Sequence, residues 1–195
     1  MLKQDFLNDT IRRSVDSGLF ARGKRFEAFL KWWEEMVRYE GEEDEAPDSR
    51  HNLRLQILQE IEPVILWAPP LSYSGLATTG RADKDAAMIY LSPMLEFEPM
   101  PSVIHTICHE FCHIYLKHHR HIDVDGAKAA VEAGLGHGGT PHELEVESLC
   151  TKLGFPKAAK AEGNSYLATI VNAYVKGKGN RARKMLSDTL QLKWE

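Results

Sequence analysis

The segment His109-Glu110-Phe111-Cys112-His113 sits inside an apolar stretch and constrains this chain more than any other feature. On an α-helix each residue advances by about 100°, so His109 and His113 fall roughly 40° apart and one turn along. Two imidazoles so placed can converge on one cation. Glu110 projects about 100° from His109, near enough to reach a water beside that cation without ligating it. Ile104, Ile107, Cys108, Phe111 and Tyr115 project to the opposite side. The bland alternative is a solvated His-Glu-His face. The amphipathic fit, with an apolar strand pattern and a Ser-Pro turn just upstream, favours the metal helix.

Imidazole nitrogen suits zinc, and three protein ligands leave a fourth position for water. Beside such an ion the pKa of water falls to about 7, and a carboxylate can take its proton during attack on a carbonyl. Glu110 is the expected general base and acid. For the third ligand the sequence offers rivals. Thr140 as N-cap, Pro141 in the first turn and Glu143 three residues after the cap form a capping box. His142 then projects from the start of a new helix with Val146, Leu149, Cys150 and Leu153 as its apolar stripe and Gly154 as its stop. His109, His113 and His142 are the expected zinc ligands. Glu143 is the rival, since gluzincins draw a glutamate from a downstream helix, and His137 in its glycine-rich loop comes third. His119 stands where a longer zincin motif places a histidine, but Leu116 replaces the glycine that would fold the chain back. Lys117-His118-His119-Arg120-His121 reads instead as a solvated cationic helix end.

Elsewhere the pattern is helical over 5–40, where Phe26, Phe29, Leu30, Trp33 and Val37 recur at helical spacing. An acidic stretch from Glu40 to Asp48 reads as an exposed linker. The expected division is therefore an N-terminal helical segment and linker over 1–48 and a metal-binding domain over 49–195. A short helix follows at 50–61. Residues 63–67 and 87–91 read as strands, with a third candidate at 72–80. Strands followed by several helices indicate an α+β domain. A formal charge of −4 excludes coating of nucleic acid by bulk charge. Lys176, Lys178, Arg181, Arg183 and Lys184 nonetheless form a local basic cluster that could follow a phosphate backbone, the bland alternative being a solvated loop. Three cysteines with no regular framework, and no apolar leader, predict a cytoplasmic protein. Cys108 and Cys112 read as small core residues, and no run is long enough to span a membrane.

Taken together, these residues resemble the SprT-like metallopeptidases. The resemblance is carried by Leu91-Ser92-Pro93 after a strand, by His109-Glu110-x-x-His113, and by a later helix opening at His142 and closing at Leu153-Gly154. It covers roughly 63–156. It implies a zincin-like α+β fold, one zinc ion, and hydrolysis of peptide bonds in a protein substrate, with some members of the family acting on DNA-bound proteins. The ImmA/IrrE-like gluzincins are similar too, through Glu143-Leu144-Glu145-Val146. A non-catalytic zinc-stabilised interaction protein and a nucleic-acid-associated protein are the alternatives of other classes.

Overall fold

The computed structural model describes residues 3–16, 23–38, 49–67, 88–91, 95, 98–118, 132 and 140–157. The candidate strand at 72–80, the linker from Glu40, the Ser92-Pro93 turn, His119, His121, His137 and the basic cluster at 176–184 lie outside these residues.

The helical pattern over 5–40 resolves into two helices, α1 (Lys3–Asp16) and α2 (Lys24–Val37). The second opens on Gly23, whose φ of 104° is a backbone conformation that glycine adopts without steric cost. Helix α3 (Ser49–Glu60) stands where the sequence places a short helix. Strands β1 (Ile65–Trp67) and β2 (Met88–Tyr90) pair in parallel, with Leu66 opposite Ile89 and both buried. Helices α4 (Met100–Tyr115) and α5 (Pro141–Leu153) follow. The described residues are thus mostly helical with a small parallel sheet, an arrangement compatible with α+β. None of the described helices is long and apolar enough to cross a membrane.

An aromatic cluster fixes the rotation of α4. Phe111 leaves the metal motif on its far side and stacks on Trp32 at 4.1 Å between ring centroids, with Phe29 at 6.2 Å and Phe6 at 6.3 Å. Phe6 in turn stacks on Trp33 at 5.3 Å. Residues from both sides of the expected linker therefore share one core. Burying Phe111 against α2 turns His109 and His113, two residues either side of it and about 160° around the helix, away from that face and toward α5. Helix α1 is tied to the sheet by Ser14, whose hydroxyl donates to the Thr10 carbonyl at 2.7 Å and accepts from Leu66 N–H at 3.0 Å. Arg13 reaches the Pro63 carbonyl beside it.

Helix α5 is held by its last turn. Gly154 adopts φ 89°, Phe155 N–H donates to the Cys150 carbonyl at 2.9 Å, and Gly154 N–H donates to Thr151 at 3.1 Å, which together form a Schellman closure. The buried Arg54 of α3 donates from Nε and Nη2 to the Leu153 carbonyl at 3.0 and 2.8 Å, and from Nη1 to the Glu35 carbonyl at 2.7 Å. One guanidinium thereby caps α5 and joins it to α3 and α2. The planar fork suits this task, because several donors are fixed by a single side chain.

Candidate metal centre

Helix α4 delivers its two histidines from a run that is helical for good local reasons: Pro101 occupies the first turn, and apolar residues cover the buried face. The helix ends at Tyr115. The sequence reading carried a cationic helix end onward to 121, and here the structure differs. Leu116 N–H closes on the Cys112 carbonyl and Lys117 N–H on Ile114, while Lys117 turns into the left-handed region at φ 61°. A lysine supplies the reversal that glycine would have made more cheaply. The consequence falls on His118, whose Nδ1 comes to 3.3 Å from Nδ1 of His113.

Helix α5 supplies the opposing carboxylates. Thr140 adopts an extended conformation as N-cap, and its hydroxyl accepts from Glu143 N–H at 3.4 Å. The Glu143 side chain crosses to α4: Oε2 lies 3.1 Å from Nε2 of His109 and Oε1 lies 3.4 Å from Nε2 of His113. The two histidine Nε2 atoms are 3.1 Å apart. Around a tetrahedral zinc with bonds of about 2.0–2.1 Å, neighbouring donors sit roughly 3.3 Å from one another. The three side chains meet that spacing and share the nitrogen-and-oxygen character that zinc accepts. They also remain partly open, with 12%, 13% and 13% of each side chain exposed.

His142 is placed otherwise. One residue earlier on the same helix, it projects about 100° away from Glu143 and stacks on His118, centroids 4.0 Å apart and planes within 9°. His118 Nε2 also meets Oε2 of Glu145 at 3.2 Å. Among the described residues, His109, His113 and Glu143 form a group of close-set donors to which His142 does not belong. The sequence signal for Glu143 was present but ambiguous, because a glutamate three residues after a threonine cap also fits a capping box.

Behind His109 lies a second carboxylate, that of Glu147. Oε1 of Glu147 stands 3.5 Å from Nδ1 of His109 and 3.5 Å from Nε2 of His105, with the Lys157 ammonium at 3.4 Å. His105 gives its Nδ1–H to the Phe155 carbonyl at 2.9 Å, which turns its other nitrogen toward Glu147. These three side chains make an alternative group of donors. They use the far nitrogen of His109, however, and a carboxylate at that position commonly orients a ligand histidine rather than binding the ion. Glu147 lies one turn after Glu143, and that helical interval is the signal by which it could be found.

Charge follows the geometry. Burial would raise the Glu143 carboxyl, but hydrogen bonds and charge from His109 and His113 outweigh it and hold the group well below the usual carboxylate range. Burial also works to lower His109, and the Glu143 hydrogen bond together with the Glu110 and Glu143 charges leaves it raised instead. The pair is therefore favoured as carboxylate and imidazolium when no cation lies between them. Glu110 is only 4% exposed, and burial pushes its carboxyl up to about 7 against the lowering influence of both histidines. For His118, burial and then the neighbouring His142 and His113 hold the imidazole below its ordinary value.

No protein-family model, curated protein or solved structure matches the chain.

Proposed function

We propose that the chain is a zinc-dependent metallopeptidase of zincin-like fold, with His109, His113 and Glu143 holding the ion and Glu110 as the general base and acid. The observation that supports it is the convergence of two α4 nitrogens and the α5 carboxylate at zinc spacing, with no fourth side chain in the group among the described residues. A structural zinc site is closed by four protein ligands, whereas a catalytic one keeps a position open. When bound, the ion supplies Lewis acidity toward a peptide carbonyl and makes water more acidic. The chain's own groups do the rest. Glu110, buried beside the histidine pair, takes the proton of the attacking water and passes it to the departing amine. Its elevated pKa suits both halves of that exchange near neutral pH. The Glu147 carboxylate, 3.5 Å from Nδ1 of His109, favours the tautomer that carries its proton there and leaves Nε2 free to ligate. The Glu143 ligand favours the gluzincin pattern, and with it the ImmA/IrrE-like resemblance over the SprT-like one. A protein or peptide is the proposed substrate.

The test combines metal analysis with hydrolysis of an unfolded protein substrate. Purified wild type retains about one zinc at this centre. Glu110→Gln keeps that zinc while turnover falls by ~10² or more. Glu143→Ala loses the ion and His142→Ala retains it. Retention by Glu143→Ala with loss in His142→Ala restores His142 as ligand. Full activity in Glu110→Gln refutes the mechanism.

A further inference from the structure

The opposite face of α4 carries a second set of donors. Cys108 and Cys112 lie one turn apart, and Cys150 of α5 meets them from across the helix interface. The three sulfurs all fall within 4.8 Å of one another, with Cys112 and Cys150 at 3.7 Å. All three are free thiols, and none is more than 1% exposed. Sulfurs bound to one ion at about 2.3 Å stand roughly 3.8–4.0 Å apart, in tetrahedral or trigonal arrangement. Cys112 and Cys150 already stand near that separation, and the Cys108 sulfur lies within 4.8 Å of both.

We infer that Cys108, Cys112 and Cys150 form a closed, all-sulfur site for a soft, thiophilic cation, independent of the His109–His113–Glu143 centre. Two further features of the surroundings point the same way. Among the described residues the buried indole N–H of Trp32 has no hydrogen-bond partner, and it lies beside Cys108, where a thiolate sulfur would accept it. The buried guanidinium of Arg54 places a positive charge within electrostatic reach of the same sulfur. Binding a divalent ion to three thiols releases three protons and leaves one net negative charge on the cluster, toward which the Arg54 guanidinium, shared with the Glu35 carboxylate at 3.8 Å, contributes a favourable field. Among the described residues these three sulfurs make up the group, a three-sulfur donor set. Soft thiolates select soft cations over the harder ions that carboxylate and water prefer. Because the sulfurs are sealed from solvent, the ion enters as the chain folds and then ties α4 to α5.

Cadmium(II) is the probe. The reduced full-length chain is refolded from denaturant with cadmium, freed of excess ion, and read by the ultraviolet thiolate-to-metal charge-transfer band and by X-ray absorption at the metal. The expected result is a three-sulfur first shell in the His109→Ala/His113→Ala double variant and the same sulfur signal, beside nitrogen and oxygen donors, in the wild type, with about three protons released per sulfur-bound ion. Cys150→Ser and Cys150→Ala lose the band. A first shell of nitrogen and oxygen alone, loss of the sulfur signal in the double histidine variant, or an unchanged band in folded Cys150→Ser overturns the inference. Should both Cys150 variants fail to fold, the first shell of the double histidine variant decides the matter alone. A failure here leaves the zinc centre untouched, since that centre is read by the histidine and Glu143 variants.

Discussion

Glu110 is a carboxyl in a place that water hardly reaches, and its energetic signature can be isolated by one substitution. In the unfolded chain the group titrates near 4.5, and in the folded, metal-free protein burial raises it to about 7. The unfolded state therefore gives up its proton first. Between those two values the folded state carries the extra proton, so stability falls as pH rises, by about 1.36 kcal/mol for each pH unit. The stabilising effect of the neutral acid is complete below about 4.5 and gone above about 7, a total of roughly 3 kcal/mol. Glu110→Gln is neutral at every pH and escapes the loss. The variant and the chelated wild type are compared by urea unfolding, followed by the fluorescence of Trp32 and Trp33. The advantage of the variant should grow from near zero at about pH 4.5 to roughly 3 kcal/mol at about pH 8. Contributions from Glu143 and the surface acids are shared by both proteins and largely cancel in the difference. With zinc bound, a cation beside the carboxyl favours its ionised form and the slope should flatten. A difference between the two metal-free proteins that does not change with pH would refute the argument. The carboxyl would then be solvated, or charged in the folded state throughout.

Three other outcomes follow from the packing and the site. Phe111→Ala, which empties the stack between α4 and α2, should cost about 3–5 kcal/mol in chemical denaturation and lower zinc retention with it. A loss under about 1 kcal/mol would mean that the aromatic cluster does not set the rotation of α4. Lys117→Gly removes a side chain from a left-handed residue and should stabilise the protein by up to about 1 kcal/mol, read as a higher Tm; a lower Tm contradicts the turn described. Glu147→Gln keeps the shape behind His109 but weakens its hold on Nδ1–H, and zinc affinity measured by chelator competition should fall about 10- to 100-fold. Unchanged affinity would remove Glu147 from any positioning role.

The parts of this protein that could be foreseen are those governed by local periodicity. Helix α4 and its His-Glu-x-x-His face, the strands around Leu66 and Ile89, and the Thr140 cap with the Gly154 stop were each expected from the residues at those positions, while the parallel pairing of the strands was not. What escaped depends on rotation and on tertiary contact. His142 and Glu143 are neighbours in sequence, and which of them faces α4 is decided by how α5 docks on Arg54 and on the core, information that no helical period contains. The reversal at Lys117 defeated a rule based on glycine because the steric penalty for a left-handed lysine is only about 1–2 kcal/mol. Burial of Val103, Ile107 and the residues around them offsets a sum of that size. Cys108 and Cys112 are buried core residues as their setting predicts, while their meeting with Cys150 depends on how α5 docks and is not written in the helical period.

The grip of Arg54 and the Schellman closure on the end of α5 bears on how such a centre can diverge. Glu143 owes its position to contacts made by its own helix, rather than to the length of chain that separates it from His113. Lengthening a connection is thermodynamically mild, about 0.6 kcal/mol for each doubling of a flexible loop. Descendants of one ancestor could therefore lose or acquire many residues between α4 and α5 and still present the same carboxylate. A pattern written with a fixed interval after His-Glu-x-x-His would pass over such cousins. One that asks for an arginine-capped helix opening on Thr-Pro-x-Glu would gather them.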